Sequence, residues 1–383
     1  MRTANITSLT AVLLTTFCFA ARVASQECGI SPDVSMRSIF SNYNYGGVGW
    51  AALSDPQNDV LLKAAMAGAV RRELALLGVD DLEERLRTLE AGNLIRQENG
   101  RYCLAFPVIA GQTHAQLRSA LGPVASDLLP AVQEMARKIR GGLKGQEQML
   151  YHLLWSWMLD GRLAWMVLEA QLASLLQQES VNLATCWWLY PRHAYHVGTN
   201  SYSSASFGVL AISWSDSTAA PWDVRTVLGA HDNRFLLASI HQKQIPPDQI
   251  TDQLRAYGFV DEAGRPSLFL LTPSSPLASV LLQSSARFAR LATERMNVPD
   301  LADRLGLTPE QALVIAYHEL CYELLARLHR AGDLWIPKIA KDNAQATRWL
   351  VSLLPITSEA QREHLEALGR DILGQYGPAE GAG

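Results

Sequence analysis

The stretch MLYHLLWSWMLDGRLAWMVLEAQLASLL, residues 149–176, constrains the fold more than any other. Its spacing predicts helix, and it is apolar nearly all round. A helix with no polar face must lie inside a core that other segments supply. Asp160, Arg162 and Glu169 argue against a membrane span. Asp160-Gly161 marks a bend or break between two buried helices. With 383 residues, of which 48% are hydrophobic and 18% charged, the chain can build such a core and one or two further domains.

The flanking segments are predicted as follows. Asp55-Pro56 starts a helix, with Asp as cap and Pro at the first helical position. Its apolar positions Val60, Leu61, Ala64, Ala67, Leu74 and Leu77 carry it to about Leu77, where Gly78 ends it. A second helix covers about 80–91 and stops at Gly92. Leu94-Ile95 begins a strand. Asn99-Gly100 makes a tight hairpin turn, and RYCLAFPVI returns as a strand with Tyr102, Leu104 and Phe106 alternating to one face.

The same order recurs at 250–273: helix, Gly258, Phe259-Val260, a polar turn at Ala263-Gly264, then a strand over Leu268–Leu271. LEAGNLIRQENGRY lies beside LRAYGFVDEAGRP, which points to two related modules. Each resembles the back half of a winged helix over about 50 residues. The resemblance implies compact helix–hairpin units that contact DNA or protein; it is a fold-level likeness and says little about activity.

Residues 183–214, rich in aromatics, Ser and Gly, predict two or three strands with turns near Pro191 and Thr199-Asn200. Beyond them, VPDLADRLGLTPEQALVIAYHELCYELLARLHRAG predicts a helix, a turn at Gly306 and a long helix from about Pro309 to Ala331. Thr308-Pro309-Glu310-Gln311 has the form of a capping box. Further helices are expected over 340–353 and 358–376, then a frayed tail at 377–383. The fold class is therefore mainly α with small β (α+β): two winged-helix-like units around a buried helical core, plus a C-terminal helical bundle. The expected boundaries are 26–140 for the first module, 141–225 for the buried helices and aromatic β segment, 226–295 for the second module and 296–376 for the C-terminal helices.

Arg2, the apolar run LTAVLLTTFCFAA and the small residues near Ser25 read as a secretory signal peptide over 1–25. The run is too short to span a bilayer. Export to the periplasm or outside is the expectation, with no membrane span after cleavage and, since Phe17 precedes Cys18, no lipid anchor. A start at Met36 would be the competing reading. Cleavage leaves 31 basic and 37 acidic residues, a net charge of −6. Cys28, Cys103, Cys186 and Cys321 remain, enough for two disulfides whose pairing is open; Cys321 lies in an apolar run and is expected as a buried thiol.

The charge bears on function. The helix before the first hairpin, DDLEERLRTLEAG, has five acids against two Arg. A DNA-reading helix needs basic and amide side chains toward phosphates and bases. Arg101 and Arg265 in the turns do not make a patch. Nucleic acid is therefore not an expected partner; protein or a small ligand is. The segment YPRHAYHVGTN groups Tyr190, Arg192, His193, Tyr195 and His196 as ligand-binding candidates. His193 and His196 could share a metal in a turn, but on a strand they face opposite ways. His231-Asp232 would have to supply a third ligand. Histidines packed among aromatics is the preferred reading. YHELCYELL lacks a second His four residues after His318, so it fails as a zinc-protease helix and is assigned to the core. No cofactor motif is present: YNYGGVGW, residues 43–50, lacks the Lys of a phosphate-binding loop. A binding or scaffolding protein is the expectation. The alternatives are an envelope hydrolase or metal-binding enzyme using His193 and His196, or a DNA-binding regulator starting at Met36.

Overall fold

The computed structural model describes residues 34–37, 52, 55–181, 183, 188–191, 198–204, 208–214, 238–241, 245, 254–255, 259–261, 263–266, 268–336, 350–356 and 358–376. These are mostly helical with small sheets. The chain divides into two compact units. One gathers Met1–Ser119, Asn182–Arg192 and Ala302–Ile315; the other gathers Ala120–Val181, His193–Leu301 and Ala316–Gly383.

The first unit begins with strand β1 (Val34–Arg37), which pairs antiparallel with β5 (Trp188–Pro191). Helix α1 (Pro56–Met66) is capped by Asp55, whose carboxylate accepts from Gln57 N at 2.9 Å. The expected single helix to Leu77 is two. Gly68, at φ +74°, ends the first, because only glycine enters that conformation at little cost. Ala69–Val70 then forms strand β2, and Arg71–Ala75 forms α2. Helix α3 (Leu82–Ala91) follows, then β3 (Ile95–Glu98) and β4 (Arg101–Leu104). Asn99 and Gly100 both sit at positive φ (51° and 76°), as a two-residue hairpin turn requires. The antiparallel sheet runs in the order β2–β4–β3. Leu61, Leu62, Leu74, Leu86, Leu89, Leu94 and Leu104 form its core with Tyr102.

The stop after α3 differs from expectation in one residue. Asn93, not Gly92, takes the left-handed position (φ 54°). Leu94 N then donates to Leu89 O at 2.9 Å, closing the last turn. In the aligned stretch of the second unit, Phe259 N donates to Leu254 O at the same 2.9 Å. Leu89, Leu94 and Ile95 are buried, and so are Leu254, Phe259 and Val260. The two stretches then diverge. Asp261 accepts from Ala263 N and Arg265 N, and Val260 bridges to Pro266. Pro266 has no N–H, so the ladder stops there. The expected returning strand is β8 (Phe269–Leu270), and it pairs elsewhere.

The second unit is built on the apolar stretch. After the long helix α4 (Gly111–Gly141) and a 3-10 turn at Glu147–Met149 come α5 (Leu150–Leu153), a π-helical segment (Leu154–Leu159) and α6 (Arg162–Leu175). The break falls at Asp160-Gly161, as expected. A side chain on Gly161 would put its Cβ 2.3 Å from Trp157 O. Tyr151, Leu153, Leu154, Met158, Trp165 and Leu168 are at most 1% exposed, which is the burial the sequence demands.

Against these helices pack α7 (Pro276–Arg295), the part of α9 (Pro309–Arg330) from Ala316 onward, and α10 (Glu359–Tyr376); α8 (Val298–Leu305) precedes α9. Thr308 and Gln311 exchange two hydrogen bonds at the start of α9, so the capping box is real. A mixed sheet runs β6 (Gly198–Ser204), β7 (Gly208–Trp214), β9 (Leu350–Leu354), β8. Two expectations fail here. Thr199-Asn200 is inside β6, opposite Ser213 and Ile212, because full-length pairing overrides turn propensity. Residues 350–353 are a strand, not the end of a helix. LVSLL is a short continuous apolar run, and periodicity cannot tell such a run from buried helix. Among the described residues no helix is long and apolar enough to cross a membrane.

Candidate functional site

Among the described residues, polar chemistry gathers on the outer face of α3 and in a buried network on the π segment.

On α3, Leu86 and Leu89 face the core. The exposed positions are Asp81, Glu83, Glu84, Arg87 and Glu90. The arginines nearby are engaged within the unit. Arg71 bonds Glu83 at 2.6 Å, Arg87 bonds Glu84 at 2.6 Å, and Arg85 bonds Asp55 at 2.6 Å and Asn58 at 3.0 Å. The Arg85 guanidinium holds the Asp55 carboxyl below its ordinary value. On the hairpin, Arg96 bonds Glu98, and Arg101 donates to Gly68 O. In the second unit's turn, Arg265 bonds Asp261. The exposed face of α3 is therefore acidic.

The buried network starts at His152, which is fully enclosed. Its Nδ1 lies 2.7 Å from Ser213 Oγ on β7, and its Nε2 lies 2.7 Å from Ser352 Oγ on β9. Ser156, one turn on, lies 3.2 Å from Nδ1 and 3.1 Å from Ser213 Oγ. Trp157 Nε1 donates to Ser352 Oγ at 2.8 Å. Ser352 pairs with Ala211, two residues from Ser213, so both serines lie on one face of the sheet. Burial lowers the His152 ring to about 3, so it is neutral: one nitrogen donates and the other accepts.

At the other end of the π segment, Asp160 N donates to Trp155 O. The Asp160 carboxyl accepts from Trp165 Nε1 at 2.9 Å and lies 3.8 Å from His318 Nε2. Burial raises it to about 8 against the lowering effect of the Trp165 bond. Tyr317 Oη donates to Leu159 O at 2.6 Å, and burial pushes both the Tyr317 hydroxyl and the Cys321 thiol well up. Trp165 stacks near Tyr317 and His318, with centroids 5.3 and 5.2 Å apart.

A serine 2.7 Å from an imidazole has general-base geometry. Here Ser156, Ser213 and Ser352 are at most 1% exposed, so no acyl donor reaches a nucleophile. The network instead satisfies the polar groups by which the π segment meets the sheet.

Of the sequence candidates, Tyr190 is in β5, its backbone opposite Ser35. Arg192, His193, Tyr195 and His196 lie outside the described residues, as do His231, Asp232, Cys28, Cys186, the 1–25 segment, the 43–50 loop and the 377–383 tail. Cys321 is a buried thiol in the core helix, as expected. Among the described residues no group of three or more His, Cys, Asp or Glu is placed to hold a metal. His152, Ser213 and Ser352 were not singled out by sequence; their separations of 61 and 200 residues hide the cluster. No family model, curated protein or solved structure matches the chain.

Proposed function

We propose that the chain is an exported binding or scaffolding protein whose winged-helix-like units make protein contacts. The order helix, strand, helix, helix, strand, strand, with the sheet order β2–β4–β3, supports reading residues 55–110 as winged-helix-like. The shared turn at Leu254–Phe259 supports a second, degenerate unit.

The observation that carries the proposal is the outer face of α3. In a DNA reader this helix enters the major groove beside phosphates. Here it exposes Asp81, Glu83, Glu84 and Glu90, and the arginines of the hairpin bond within the unit. Phosphate would be repelled. A protein surface with basic side chains fits.

A photo-crosslinking residue at Glu84 should capture one discrete protein from extracts of the native cell envelope, and the same residue at Glu363 on α10 should not. Charge reversal at Glu83, Glu84 and Glu90 should abolish capture. Equal capture from both positions, or binding of duplex DNA at moderate salt with a steep salt slope, would reject the reading.

A further inference from the structure

The π segment ends on an acid that the network around His152 does not use. Its carboxyl is enclosed: the Asp160 side chain is 6% exposed, and the His318 side chain facing it is 7% exposed. α6 presents Trp165, which donates one hydrogen bond. α9 presents Tyr317, His318 and Cys321, and α7 brings Phe288 against Tyr317. The neighbours are rings and a thiol. His318 is the neighbour able to carry positive charge, and at 3.8 Å it is beyond hydrogen-bond reach. Glu319, next in the chain, is buried too. Arg162, two residues from Asp160, is exposed. The segment Leu154–Leu159 itself has no titratable side chain.

A carboxylate in that enclosure has lost its water and gains one neutral hydrogen bond in return, whereas a carboxylic acid fits. The same residue terminates the π segment through its N–H, and at the next position, Gly161, a side chain would run into the Trp157 carbonyl. Ionisation and packing therefore compete at one position. π-helical turns are also rare, and they frequently sit at functional sites.

We propose that Asp160 is a proton-gated latch: with its carboxyl protonated the π segment packs between α6, α7 and α9, and loss of that proton releases the segment to solvent. This goes beyond the protein-contact reading and stands without it. The cell-envelope compartment proposed above would expose such a latch to external pH.

The sign follows from linkage. The closed state holds the proton up to about pH 8, and the open state gives it up near 3.8. From about 6.5 to 8 the open population rises about tenfold per pH unit, then levels off; below 6.5 the exposure of the His152 ring on the same stretch offsets it. Amide hydrogen exchange across 150–175, normalised to the intrinsic rate at each pH, reads this directly. Protection should stay level from about pH 4 to 6.5, fall toward pH 8 and flatten above it. Asp160→Asn keeps an acceptor for Trp165 and should abolish the fall. Amides of Leu82–Ala91 serve as the internal control and should not follow it. Should Asp160→Asn fail to fold, Trp165→Phe decides the matter. It removes the bond that lowers the closed-state value, so the levelling point should move to higher pH. Protection that is independent of pH, an equal fall in Asp160→Asn, a fall shared with Leu82–Ala91, or an unmoved levelling point in Trp165→Phe would each overturn the latch.

Discussion

His152 uses both ring nitrogens on serines of two different strands, so its loss takes one hydrogen bond from each of two buried hydroxyl groups as well as leaving a cavity. We expect His152→Ala to cost about 3 kcal/mol or more in chemical denaturation. Its neighbour behaves oppositely. Tyr151 Oη is buried without a hydrogen-bond partner, and burial raises its hydroxyl strongly. Tyr151→Phe removes that group and keeps the ring, so its stability should equal or exceed wild type by up to about 1 kcal/mol. A loss above that would mean the hydroxyl is bonded. At this scale the sequence shows part of the story. Asp160 stands out as a lone acid in an apolar run, and that is a usable signal. Ser213 and Ser352 do not stand out, because small polar residues on strands are ordinary until the register places them on one imidazole.

Elements were legible where the chain itself dictates their ends. Asp55-Pro56, Asn99-Gly100 and the Thr308–Gln311 box each act within four residues, and each forms as read. Ends decided by partners were missed: β2 exists because Gly68 frees Ala69–Val70 to pair with β4, and β9 because β7 and β8 flank it. The π register of Leu154–Leu159 has no sequence mark at all. The repeated turn yields a test at this scale. Asn93 occupies a left-handed position, and the residue aligned with it in the second stretch of sequence is Gly258. Asn93→Gly should leave stability within about 1 kcal/mol of wild type, because glycine is free there. Asn93→Val should cost about 1–2 kcal/mol, since a β-branched residue is strained at φ 54°. Thermal melts of the two variants separate the outcomes; equal melts would mean the turn is not held at that φ in solution.

For the whole molecule, two buried groups near the two ends of one π segment push in opposite directions. His152 ionises at about 3 in the fold and near 6.5 unfolded, so the unfolded chain binds more protons between those values and stability rises with pH across them. Asp160 ionises at about 8 in the fold and near 3.8 unfolded, so the folded chain binds more protons there and stability falls with pH. From about 3.8 to 6.5 the two slopes cancel. Below that window Asp160 drops out, and His152 is joined by Asp55, Glu134 and Asp261, whose carboxyls their partners hold low and which lose those bonds on protonation. Above it Asp160 acts alone until about pH 8. The chain should therefore show a stability plateau across the mildly acidic range, a decline through neutrality and a second, lower plateau in mild base. The variants split the curve. Asp160→Asn should leave a rise up to about 6.5 and then no decline, while His152→Gln should leave a decline running unbroken from about 4 to 8. Denaturant midpoints over this range decide it. A wild-type curve that rises to about 6.5 and then does not decline would mean that Asp160 is less enclosed than the geometry has it, because that is the curve an enclosed His152 gives by itself.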